Sequence, residues 1–278
     1  EYSRTGSISL IDPANIRNQL TWLGLFGILG LAQAFVIITG GIDLSIGSTV
    51  ALVGITLTML LEAGYPPAAA VGLALLVSVA VGLWHGTLIA KLNLQPFVVT
   101  VCSRFMIRGI ARFLTGDRSK GFGPEVKWLA DAGSANFGVV PVSLVALGLL
   151  AVLAAAFLHF SPAGRHLFAL GANEDAARLS GVATARLKLG AYVACSLVAG
   201  IGALFFAFKV QSLAPSNFGS FYELYAIAGA VLGGCSLRGG TGNVLAVILA
   251  TAFIVLLRNL VNILDISSQL EYIVIGAA

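Results

Sequence analysis

Apolar residues fall along this chain in long runs separated by short polar or glycine-rich interruptions. The runs cover roughly residues 20–38, 44–61, 67–90, 94–115, 140–160, 188–208, 221–235, 242–261 and 268–278. Each full run approaches the ~20 residues that cross a ~30 Å hydrocarbon core at ~1.5 Å rise per residue. None shows the in-and-out alternation that a transmembrane barrel strand requires. The pattern predicts an all-α, polytopic transmembrane bundle of about eight to ten helices. Two interruptions are helix breaks expected near the membrane centre: Gly40, Gly41 and Gly47 around Asp43, and Gly233, Gly234, Gly239 and Gly240. Irregular backbone at that depth persists only where it is buried in protein or lines a wet cavity.

Composition strengthens this reading. Hydrophobic residues make up 58% and charged residues 10%, and the mean hydropathy is +0.96. A soluble domain carries about 25% charged residues, so a soluble fold is excluded. The sequence opens at Glu1 and stops inside an apolar run. It therefore reads as a single transmembrane domain over residues 1–278 that lacks a first helix and its C-terminal end.

Two hydrophilic stretches divide the runs. Residues 116–139 mix glycine, proline and balanced charge, as a solvated loop does. Residues 161–187 are more ordered: Pro162 and Gly164 close the preceding helix, and Asn173 caps a new one. Glu174 and Asp175 then occupy the first turn, where acids favour the positive helix end, and Gly181 stops the helix after Ser180. Glu174 and Arg178, four apart, share one face. This short helix is either a surface hairpin or a docking element for a soluble partner. Lysine and arginine are spread over both stretches, so charge bias alone does not orient the chain.

Arg104, Arg108 and Arg112 recur every fourth residue and form one stripe. A midplane arginine costs ~2.5–3.5 kcal/mol on insertion scales, so the stripe must face protein, water or headgroups. Either Arg112 snorkels while the other two tie helices together, or one of them lines a polar passage. The two glycine breaks echo one another, Gly40-Gly41-x-Asp43-Leu44 beside Gly233-Gly234-x-Ser236-Leu237, as a duplicated transporter would show. Chance glycines at helix contacts give the same echo.

Catalytic chemistry is not expected. Cys102, Cys195 and Cys235 are scattered in apolar context and read as small core residues. His85 and His159 have no acidic or cysteine companion at ligand spacing, so they read as structural and no metal is expected. None of the five lysines sits in a phosphate-binding loop, so nucleotide must be handled elsewhere.

Four segments in order, GGIDLSIGS, QPFVVT with the following Arg108-Gly109, GRHLFALGANEDAARLSGV and YEL…AIAGAVLGGCSLRGGTG, resemble the permease subunits of bacterial ATP-binding cassette importers for monosaccharides such as ribose, arabinose, xylose and galactose. The resemblance covers nearly the whole chain. It implies a multi-pass protein of the bacterial inner membrane, paired with a second permease chain. Its other implied partners are a cytoplasmic subunit that uses ATP and Mg and a periplasmic sugar-binding protein, with lipid around it and no nucleic acid. No cofactor is bound by this chain itself. The resemblance also makes 161–187 the cytoplasmic coupling loop and 116–139 a periplasmic loop. Gly171, Asn173, Glu174, Asp175, Arg178 and Gly181 fall in the segment matching the coupling helix. This chain departs from the family in having Ala172 for a glycine, Cys235 for a threonine, and Tyr225 where an acid is common.

A sugar passage needs weak, hydroxyl-matching contacts. Asp43, Ser45, Phe97, Thr100, Arg108 and Glu223 are the candidates to line it, being polar or aromatic groups near helix breaks. Asp43 has a second reading, as the cap of a helix beginning at Leu44 that takes the N–H groups of Ser45 and Ile46. Two other functions stay open: a stand-alone ion-coupled carrier or channel, and a permease for another solute such as branched-chain amino acids.

Overall fold

The computed structural model describes residues 12–264. Eight apolar helices carry the bundle: α1 (Pro13–Ile38), α2 (Ile46–Glu62), α3 (Pro67–Ala90), α4 (Pro96–Thr115), α6 (Val142–Ala155, continued by a π turn, Ala156–Phe160), α9 (Thr184–Val210), α10 (Tyr222–Leu232) and α11 (Val244–Ile263). Three short helices lie between them: α5 (Lys127–Gly133), α7 (Pro162–Ala172) and α8 (Glu174–Leu179). The run at 268–278 lies outside the described residues. Five helices, α1, α3, α6 with its π turn, α9 and α11, are long and apolar enough to span a bilayer. At 17 and 11 residues, α2 and α10 are shorter. At ~1.5 Å per residue they fall short of a ~30 Å core.

Helix α1 is the axis of the bundle. It packs against α6, α9, α10 and α11, and it is buried almost continuously from Gly24 to Ile38. Helix α9 packs on α1, α2 and α3. Gly82 and Gly86 let α3 approach its backbone closely: a Cβ on either would strike main-chain atoms of Val193 or Leu189. Such small-residue contacts let helices associate where lipid supplies no hydrophobic drive. The outer faces of α3, α6 and α11 carry exposed apolar side chains such as Leu76, Val152 and Leu249, as lipid contact requires.

The two hydrophilic stretches sit at opposite ends of α9, whose 27 residues span about 40 Å. Residues 116–139 are more than a connector. Strand β1 (Lys120–Gly121) pairs antiparallel with β4 (Ser212–Leu213), which follows α9, and β2 (Asn136–Phe137) pairs with β3 (Val140–Pro141). Helix α5 between them buries Ala130. Pro162 and Gly164 do not simply close a helix; they open α7. Ser161 caps it, accepting from the Gly164 N–H at 3.0 Å, and Pro162 sits at the first position, where its missing N–H costs nothing.

Candidate translocation and coupling site

The first break begins where α1 ends. Gly40 has φ +78°, a left-handed conformation that suits glycine, and it reverses the chain beside the carbonyl of Arg238. Asp43 follows, 1% exposed. Its Oδ1 accepts from Ser45 N–H at 2.8 Å and Ser45 Oγ–H at 2.6 Å. The carboxamide of Gln33, fully buried in α1, faces the Asp43 backbone in the orientation that donates to its C=O (3.2 Å) and accepts from its N–H (3.1 Å). Asp43 is thus a turn former ahead of α2. The helix starts at Ile46 rather than Leu44, and of the two expected N–H donors only Ser45 is bonded to it. Gly47 lies inside the first turn of α2, not in the break; a Cβ there would strike the Gly219 carbonyl and the Glu223 carboxylate.

Thr100 ties α4 to this turn: its hydroxyl is 3.3 Å from Ile42 C=O and 3.0 Å from Pro96 C=O. The arginine stripe acts as a set of struts. Arg104 pairs with buried Glu223 at 2.8 Å, and Arg108 Nη1 donates to the carbonyls of Pro215 (2.9 Å) and Phe218 (2.6 Å). Arg112 chelates Asp117 beyond the helix end (3.1 and 2.7 Å), and that hydrogen-bonded guanidinium holds the Asp117 carboxyl below its ordinary range. Of the six passage candidates, Asp43, Ser45, Thr100 and Glu223 are sealed from solvent in this conformation. Phe97 is exposed on the outside of α4, and Arg108 is half-buried.

The second break meets the first. Gly233 closes α10, and Gly234, Gly239 and Gly240 have φ of +83°, +87° and +78°. The Gly240 N–H donates to Ile38 C=O at 2.9 Å, joining the end of α1 to the loop before α11. Gly171, near the end of α7, fills the third side: a Cβ on it would overlap the Ile38 carbonyl and the Gly240 amide. A Cβ on Gly239 would in turn meet the Gly171 carbonyl and the Gly40 nitrogen. Three glycine-bearing segments therefore touch backbone to backbone.

From this junction α8 projects outward. Asn173 caps it, accepting from Ala176 N–H at 2.9 Å, and Gly181 ends it with φ +84°. Glu174 and Arg178, which share a face, do not pair with each other. Glu174 binds Lys188 of α9 at 2.5 Å, and Arg178 binds Asp175 at 2.7 Å. The α9 ammonium reaches Glu174 from a neighbouring helix, and Asp175 lies a turn behind Arg178. Leu179, 88% exposed, stands at the tip of α8.

Three contributors were not apparent from the sequence. His85, read as structural, faces Asp43 Oδ2 with Nδ1 at 3.8 Å, and Cys195 Sγ lies 3.9 Å from the same oxygen. They arrive from α3 and α9, so no sequence spacing announces them. Gln33 left a trace, a carboxamide in the middle of an apolar run.

A bundle of helices long and apolar enough to span a bilayer, with two glycine breaks that meet beside a projecting short helix, is the architecture of an integral membrane transport subunit. Residues 15–278 match the family described as "Branched-chain amino acid transport system / permease component", and the chain belongs to it. It is 33% identical over 269 residues to the ribose import permease protein RbsC of Bacillus subtilis (strain 168), covering 96% of this chain and 83% of that one. Against the protein of the same name from Escherichia coli (strain K12), identity is 32% over 262 residues, 94% and 81% of the two chains. The autoinducer 2 import system permease protein LsrD of Photorhabdus luminescens is 30% identical over 255 residues, 90% and 76%. No solved structure matches the chain.

Proposed function

We propose that this chain is the membrane-spanning subunit of an ATP-driven importer that passes a monosaccharide, a ribose-like pentose or a hexose, across the bacterial inner membrane by alternating access. The observation that carries the reading is the glycine junction: the segment bearing α8 is in backbone contact with both helix breaks. A push on α8 therefore reaches the turn that holds Asp43 without passing through flexible side chains. In this reading α8 faces the cytoplasm and docks through Leu179 and Arg178 on a subunit that binds ATP and Mg. The end carrying β1 and α5 faces the periplasm, where a sugar-binding protein delivers the substrate. A second permease chain completes the passage. ATP favours the closed form of its own subunits, and that differential affinity biases the bundle between its two openings. Names of relatives direct the choice of solute toward sugars.

The test is reconstitution of the chain with its ATPase and binding protein in vesicles. Uptake of labelled ribose, xylose, galactose and leucine is compared for the wild type and Leu179→Asp. ATP-dependent uptake of one sugar, lost together with ATPase co-purification in Leu179→Asp, supports the reading. Leucine uptake alone, or transport that persists without the ATPase, overturns it.

A further inference from the structure

We propose that residues 212–221, between α9 and α10, form a solute-contacting wall of the passage, with Ser216 and Asn217 at its tip meeting the hydroxyls of a polyhydroxy solute. Within the importer reading, on which this assignment depends, these two residues touch the sugar, whereas Asp43, Ser45, Thr100 and Glu223 are sealed behind the wall.

The segment runs inward beside α2. Leu213 and Phe218 lie against Gly54, and a Cβ on Gly47 or on Gly219 would strike the other's carbonyl. Gly54 and Gly47 are two turns apart, about 10 Å along the helix. Where the segment ends, the Tyr222 ring packs on Phe26 (centroids 5.3 Å apart) and Phe206 (4.5 Å). Phe26 stands at the middle of α1, about 20 Å from either end of a helix long and apolar enough to span. The segment is built of turns, and irregular backbone at that depth does not face lipid. Ser216 and Asn217 are nevertheless exposed, and the neighbouring Arg104 side chain is 36% exposed. An exposed polar tip at this depth opens on a wet cavity.

The tip is held from inside the turn and from α4. Ala214 C=O accepts from the N–H groups of Asn217 (3.1 Å) and Phe218 (2.8 Å), and Arg108 donates to the carbonyls of Pro215 and Phe218 on either side of the tip. Gln211 (φ +59°) and Phe221 (φ +65°), left-handed although not glycine, bracket the segment; such conformations persist where the surroundings impose them. The Ser216 hydroxyl and the Asn217 carboxamide have no hydrogen-bond partner among the described residues. Both donate and accept, as a sugar hydroxyl does, and neither carries charge. Glu223 neutralises Arg104, so the guanidinium adds donors without a net charge that would trap the solute.

Substituted cysteines test the wall in vesicles holding the permease with its ATPase and binding protein. The background is Cys102→Ser, because Cys102 is exposed on α4 whereas Cys195 and Cys235 are buried. Asn217→Cys, Ser216→Cys and, as the lipid-facing control, Leu76→Cys are treated with a charged methanethiosulfonate. The tip cysteines should react about tenfold faster than Leu76→Cys or more, since only a thiol in water ionises readily. Asn217→Leu should lower sugar uptake by about tenfold, as one lost hydrogen bond gives, while ATP hydrolysis stimulated by the binding protein persists. Asn217→Gln, which keeps the carboxamide, should recover much of that uptake. Tip cysteines as unreactive as Leu76→Cys overturn the proposal and put the tip against lipid or a second permease chain; Ser216→Cys decides this even if Asn217→Cys does not fold. Unchanged uptake in Asn217→Leu also overturns it, as does a joint fall of uptake and hydrolysis, which marks a structural role. Wild-type vesicles in which ATP drives no sugar uptake fail the importer reading instead, and the labelling then still decides whether the tip is wet.

Discussion

Single side chains here are placed by what burial demands of a charge. Arg104 and Arg112 sit two helical turns apart on α4 yet do different work. The first neutralises Glu223, which is 1% exposed, whereas the second chelates Asp117 in the open. Arg104→Gln should destabilise the protein by about 3 kcal/mol, the low end for breaking a buried pair because the arginine end is partly open. Arg112→Gln should leave stability little changed near neutral pH, because water and salt screen an exposed pair. Chemical denaturation in detergent micelles reads both. The contribution of Asp117, whose pKa is lowered in the fold, is present above its unfolded value and is lost as pH falls through the folded one. The small difference that Arg112→Gln makes should therefore vanish only at strongly acid pH. Asp43→Asn should leave assembly intact and impair uptake, since asparagine keeps the turn but not the charge; normal uptake by this variant would remove Asp43 from the transport mechanism.

At the scale of elements, the short helices are where local chemistry and mechanism meet. Helix α8 has only six residues, too few to hold itself, and it depends on its Asn173 cap and on Glu174 reaching Lys188 of α9. Asn173→Ala should weaken it by about 1 kcal/mol and reduce ATPase association in a pull-down without altering the far-ultraviolet helical signal by more than one short helix. Gly171→Ala is a sharper probe. The atoms nearest the added Cβ are main-chain atoms of Ile38 and Gly240, which cannot swing aside as a side chain would, so the junction must open. We expect ATPase binding to persist while ATP hydrolysis no longer drives uptake. Loss of binding and uptake together would make the junction a plain structural contact.

At the scale of the whole molecule, one helix among the described residues projects at the α8 end. An importer with two nucleotide sites then needs two copies, and native mass spectrometry of the assembled complex should find two permease chains per ATPase pair. The architecture that supports this was largely open to reading. Runs of apolar residues set the positions of the helices, because crossing lipid leaves the backbone no other way to satisfy its hydrogen bonds. The capped helix at Glu174 was legible too, since Asn173, two acids and Gly181 are local signals. So was the strut role of Arg104 and Arg108, as one of two readings, because lipid excludes a stripe that faces it.

Other features were decided by tertiary structure. That Glu174 binds Lys188 and not Arg178 depends on where α9 passes. The meeting of Gly40, Gly171 and Gly239 joins three segments far apart along the chain. The Asp43–His85 contact joins a turn to a helix that folds back beside it. Sequence alone determined which stretches enter the membrane, because that is a property of each segment against its solvent. Only the packing of those segments decided which glycines touch and which charge faces which, because such contacts are properties of pairs brought together by the fold.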